Sequence, residues 1–86
     1  MLDLSNWDIS NVTNMSYMFN GCFNLTTIYT SNLFDTSNVS SSGGMFISCS
    51  KLVGGNGTTY TITHQNATYA RIDKAGQKGY FTEKTI

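Results

Sequence analysis

Proline is absent from this 86-residue chain, histidine and tryptophan occur once each, and no lysine or arginine precedes Lys51. Without proline, one kind of chain break is missing. No apolar run approaches the length of a membrane span, and nothing at Met1 reads as a signal peptide. His64 stands alone in a polar turn with no GxSxG or Cys/His signature beside it, so an oriented nucleophile and base are not expected. P-loop, strand-to-helix GxGxxG and EF-hand patterns are also missing. Charged residues make up only 12% of the chain. Their balance is uneven: Asp3, Asp8 and Asp35 give residues 1–50 a net −3, and the rest carries +3. The bases are dispersed and no nucleic-acid motif accompanies them, which favours a solvated surface over a phosphate-binding patch.

What is present is a repeat. Residues 7–25 and 34–52 share eight of nineteen identities at an offset of 27, including Asn11/Asn38, Val12/Val39, Met18/Met45, Phe19/Phe46, Cys22/Cys49 and Leu25/Leu52. Self-similarity at this period points to a solenoid or an array. Leu2 and Leu4 alternate with polar residues as in a short strand, and Ile28 opens its counterpart. Leu33 is one residue more than the first copy has before Phe34, which predicts a bulge or a widened turn. Asp8-Ile9-Ser10-Asn11 and Asp35-Thr36-Ser37-Asn38 are turn chemistry, because their side chains bond back to nearby amides.

Met15, Met18, Phe19 and Cys22 fall at i, i+3, i+4 and i+7, which predicts a two-turn helix ended by Gly21. Ser42-Gly43-Gly44 weakens the second such helix to about one turn, since glycine costs about 1 kcal/mol against alanine. After Leu52 the repeat stops. A glycine-rich turn over Val53–Gly57 leads to strands over Thr58–Thr63, Thr68–Asp73 and Tyr80–Thr82, a segment expected to cap the last coil. The fold class expected is therefore an α/β solenoid, with coils of short strand plus short helix and a small β-rich C-terminal cap. Residues 1–52 hold two repeats (1–27 and 28–52) and residues 53–86 the cap. Two repeats are few for such an array, so the chain is expected to be the C-terminal part of a longer one.

Leu2-Asp3-Leu4-Ser5-Asn6-Trp7-Asp8, Ser10 to Phe19, Gly21-Cys22 and Asn24-Leu25-Thr26 closely resemble the repeat of BspA-type leucine-rich-repeat bacterial surface proteins. Val53 to Thr58, Thr68 to Asp73 and Gly79 to Thr82 resemble the segment that often closes such arrays. The resemblance implies a leucine-rich-repeat-like solenoid in a secreted or surface-anchored protein. It implies adhesion to host extracellular-matrix or other surface proteins, with no residue-level site to carry over.

The chemistry-bearing residues read modestly beside this. Asp8 and Asp35 are a carboxylate pair only because the repeat recurs, and lack a third ligand for a metal. Cys22 and Cys49 share a repeat position, so a bridge is conceivable, although buried thiols filling a packing position are the better account. Trp7 and Phe34 are expected to pack between the copies, and Tyr17 to be exposed. No catalytic, cofactor-binding or metal residue is expected, and no cofactor. The expected function is a non-enzymatic surface repeat module for adhesion or protein binding. A capping or spacing role is the alternative, and a small carbohydrate-binding domain the third. Nucleic acid and membrane insertion are not expected, whereas self-association through the open first repeat is.

Overall fold

The computed structural model describes residues 1–84. Strands β1 (Leu2–Asp3), β2 (Ile28–Thr30) and β3 (Phe81–Glu83) form one parallel sheet in the order β1-β2-β3. The register sets Leu2 beside Ile28 and Ile28 beside Phe81, so one apolar row runs across all three strands. Ile28 and Thr30 of the central strand are both fully buried, as expected for alternate residues facing one side. Leu33, the extra residue, is 83% exposed in the turn that Phe34 N–H closes on the Ser31 carbonyl at 3.2 Å.

The two copies of the repeat lie alongside each other, and their backbone bonding follows a period of two. The N–H groups of Met15, Tyr17, Phe19 and Gly21 donate across to the carbonyls of Ser41, Gly43, Met45 and Ile47, at 2.7–3.0 Å. The intervening N–H groups of Met18, Asn20 and Cys22 turn back to the carbonyl three residues earlier, at 3.1–3.3 Å. The second copy repeats these turns at Met45, Ile47 and Cys49. Such a run of turns needs residues in the left-handed region. Tyr17 (φ 60°) and Gly21 (φ 82°) supply them in the first copy, and Gly44 (φ 68°) and Ser48 (φ 68°) in the second.

This bonding overturns the expected fold class. No α-helix occurs among the described residues, and the sole helical turn is a 3₁₀ turn at Ala67–Tyr69. A helix over Met15–Cys22 would turn the N–H groups from Phe19 onward back to the carbonyl four residues earlier, but those of Phe19 and Gly21 are committed to the neighbouring copy. The molecule measures 29 × 28 × 24 Å, close to isotropic, and strand-plus-helix solenoid coils are not what it forms. The β-rich cap also needs correcting. Only Phe81–Glu83 becomes a strand after residue 52, and the rest of that side is turns and single bridges such as Val53 with Thr59. Asn66 accounts for one loss: its side chain accepts from Thr68 N–H at 2.9 Å and starts the 3₁₀ turn where a strand was expected. The expected 53–86 segment includes Thr85 and Ile86, which lie outside the described residues.

The helical spacing nevertheless picks out residues that pack inward. Met15 and Phe19 are buried and Met18 and Cys22 half-buried; Met45, Phe46 and Cys49 are fully buried. A chain of rings joins the repeats to the C-terminal side. Phe46 stacks on Phe19 at 5.4 Å and meets Tyr80 edge-on at 5.0 Å; Tyr80 meets Tyr69 at 5.2 Å, and Tyr69 stacks on His64 at 4.0 Å. Burying each large ring contributes on the order of 2 kcal/mol. Trp7, by contrast, is 46% exposed, and Phe34 packs edge-on to Phe81 at 5.1 Å rather than against Trp7.

Candidate functional site

Two features of the molecule could meet a partner: an open backbone row on the first copy and a cleft on the C-terminal side.

The row follows from the period-two bonding. Ser41, Gly43, Met45 and Ile47 carbonyls receive the first copy. Their counterparts at the 27-residue offset are the carbonyls of Asn14, Ser16, Met18 and Asn20, and none of these accepts a hydrogen bond among the described residues. The opposite side of the pair is closed. Phe46 N–H donates to the Gln65 carbonyl at 2.9 Å, and Ser48 N–H to the Tyr60 hydroxyl at 3.3 Å. Gln65 Nε2 steadies that hydroxyl at 2.6 Å, and Ala67 N–H donates to Ser42 Oγ at 3.1 Å. Residues 60–67 thus cover the second copy as the second copy covers the first. Tyr17 (62% exposed) and Asn14 and Asn20 stand exposed on the copy with the open row.

The cleft, of about 540 Å³, lies between the Asn56–His64 stretch and the Lys74–Lys78 hairpin. Lys74 and Gln77 exchange backbone hydrogen bonds of 3.0 and 2.9 Å, and Gly76 (φ 79°) makes that tight turn possible. Asp73 anchors the two walls. Its Oδ2 accepts from Asn56 and Thr58 N–H, both at 2.9 Å, and its Oδ1 from Thr58 Oγ1 at 2.7 Å and Gly79 N–H at 3.3 Å. Burial pushes the Asp73 carboxyl up, but these four donors outweigh it and hold it below the usual range. The close approach needs glycines: a Cβ on Gly54 would sit 2.2 Å from the Gly79 carbonyl, and one on Gly79 2.1 Å from the Arg71 carbonyl. In the sequence Asp73 reads only as the last residue of an expected strand. The surrounding Gly54-Gly55 and Gly79 were the available signal that a backbone crossing lay there.

The residues weighed from sequence are scattered. Asp8 and Asp35 each accept from the N–H two residues on, Ser10 at 3.0 Å and Ser37 at 2.8 Å, as local turns. The hydrogen bond donated by the Ser10 N–H holds the Asp8 carboxyl below its ordinary range. Cys22 and Cys49 are free thiols; burial, with Cys22 nearby, pushes Cys49 up to about 11, so it is an inert packing group. His64 Nδ1 lies 3.0 Å from Thr61 Oγ1 and 3.1 Å from Thr63 Oγ1, and the ring lines the cleft. Among the described residues no cluster of three His, Cys, Asp or Glu could hold a metal ion. No helix there is long and apolar enough to cross a membrane.

A fold of two bonded repeats closed on one side defines a repeat-containing class of domain. The chain belongs to the family described as Mycoplasma protein of unknown function, DUF285, which matches residues 2–78. No curated protein and no solved structure matches it.

Proposed function

We propose that this chain is a non-enzymatic repeat module of a secreted or surface protein, binding protein partners in adhesion, within a longer array of the same repeat. The observation that carries the reading is the open carbonyl row of Asn14, Ser16, Met18 and Asn20, a backbone edge spaced to receive the N–H groups of a neighbouring repeat or of an extended partner segment. The resemblance to BspA-type surface repeats supports the same partner class, host extracellular-matrix or other surface proteins. Against catalysis stands the state of the acids: Asp73 has both oxygens filled, and among the described residues nothing acidic bonds to His64.

The test is binding of the chain to immobilised extracellular-matrix proteins, with carbonyl ¹³C shifts followed by NMR. Saturable binding with shifts at residues 14–20 is expected, weakened about tenfold by a Ser16→Glu/Asn20→Glu variant that sets negative charge beside the acceptor row. Equal binding by that variant, or no binding, refutes the reading. A second reading, a capping or spacing role, is favoured by the way Gln65 and Tyr60 close the donor row of the second copy. On that view the chain alone binds nothing, and binding returns only with additional repeats.

A further inference from the structure

We propose that the C-terminal cleft binds a small acidic saccharide, with the carboxylate held at the lysine rim and the hydroxyls against the threonine wall. The cleft's volume of about 540 Å³ suits one or two sugar rings. Its wall carries the hydroxyls of Thr59, Thr61 and Thr63, all on exposed residues, which match the alternating donors and acceptors of a polyol. His64 adds a flat ring held in place from behind by Tyr69 at 4.0 Å with only 12° between the planes. Its Nδ1 is engaged by Thr61 and Thr63, and no described residue bonds Nε2, which is left as the ring's open hydrogen-bonding atom.

Charge selects an acid over a neutral sugar. Lys74 and Lys78 are exposed on the hairpin that forms the other wall, and Arg71 lies over the Tyr69 ring at 5.7 Å while its Nε holds the Lys78 carbonyl at 2.7 Å. Among the described residues none of these three cations has a carboxylate within 4.0 Å; the one ion pair found is Lys84 with Asp3. The only acid in the cleft, Asp73, is buried and spends both oxygens on four donors of the protein, so it does not compete for the sugar hydroxyls; its charge offsets one of the two lysines and leaves the cleft a net positive charge. The cleft is therefore a cationic rim over a hydroxyl-rich floor. An acidic sugar satisfies both halves, whereas a simple anion leaves the floor unused and a neutral sugar leaves the rim unpaired.

The experiment titrates the full chain with glucuronate, glucose and sodium sulfate at fixed ionic strength, reading amide shifts by NMR. Saturable shifts over residues 58–64 and 74–78 are expected with glucuronate, with glucose and sulfate each at least about tenfold weaker. Lys78→Gln, an exposed change, should weaken glucuronate about tenfold with the rest of the spectrum unchanged. Sulfate binding as tightly as glucuronate overturns the proposal, as does glucose doing so or the absence of saturation. The shifts lie away from residues 14–20, so this result and that for the open carbonyl row stand or fall separately.

Discussion

The two copies of the repeat share one backbone and divide its difficult positions differently. Each needs two residues in the left-handed region, where a side chain costs about 1–2 kcal/mol. The first copy puts Tyr17 and Gly21 there, and the second Gly44 and Ser48. The exchange is not arbitrary. A Cβ at Gly44 would come within 2.4 and 2.6 Å of the Tyr17 ring, so the bulk of one copy uses the emptiness of the other. The copies also differ in cover. The second is bonded on both sides, and the first carries an open carbonyl row. Identical backbone bonding thus leaves side chains free to diverge, and at this position the gain in size on one copy is met by a loss on the next.

Breaking that complementarity should have the largest effect. Gly44→Ala should cost about 3 kcal/mol in urea unfolding, from the positive φ and the clash together. Adding Tyr17→Ala should restore about 1–2 kcal/mol of it. No recovery would mean that the ring is not the obstacle.

The next test sets the turn acids of the copies against the anchor of the closing side. Asp73→Asn should cost about 2–3 kcal/mol, the scale of hydrogen bonds to a charged group. Because the folded carboxyl lies below its ordinary range, the unfolded chain takes up the proton first as pH falls. Its stabilisation is therefore full at neutral pH and is lost below about pH 4. Thermal melts between neutral pH and pH 2 should show a smaller loss in the variant than in the parent chain; equal slopes would place the acid lability elsewhere.

Thr30 probes the strand that joins the copies. Its Oγ1 is buried without a partner among the described residues. Replacing it by the similarly shaped valine should raise stability by about 1 kcal/mol. A loss would reveal a hydrogen bond for that hydroxyl. The smallest effect is expected for Ser48→Gly, a gain of about 0.5–1 kcal/mol from relieving a positive φ, offset in part by a floppier unfolded chain. Gly21→Ser, the reciprocal change in the first copy, should cost a similar amount.

Much of this molecule was legible in its residues, and the failures have one cause. The offset of 27 placed Asn14 beside Ser41, which is a matter of counting; the widened turn expected at Leu33 is not found, because Phe34 N–H closes on Ser31 as Trp7 N–H closes on Leu4. The spacing of Met15, Met18, Phe19 and Cys22 named residues that pack inward but mis-stated the backbone under them. Side-chain spacing does not reveal where N–H groups go, and here alternate ones leave for another copy. The same blindness hid the candidate sites. The open row consists of backbone carbonyls, which every residue type carries. The cleft depends on Asp73 meeting Asn56 and Thr58 from fifteen and more residues away, a contact no local pattern encodes.

The placement of Tyr17 over Gly44 bears on how such a chain can evolve. Recombination between repeats tends to make neighbouring copies alike. Here a second copy rewritten to match the first would bring tyrosine to position 44, into space the first ring already fills. The pair is ordered, with a first member and a second that cannot trade places, and selection for folding alone would hold them apart in sequence.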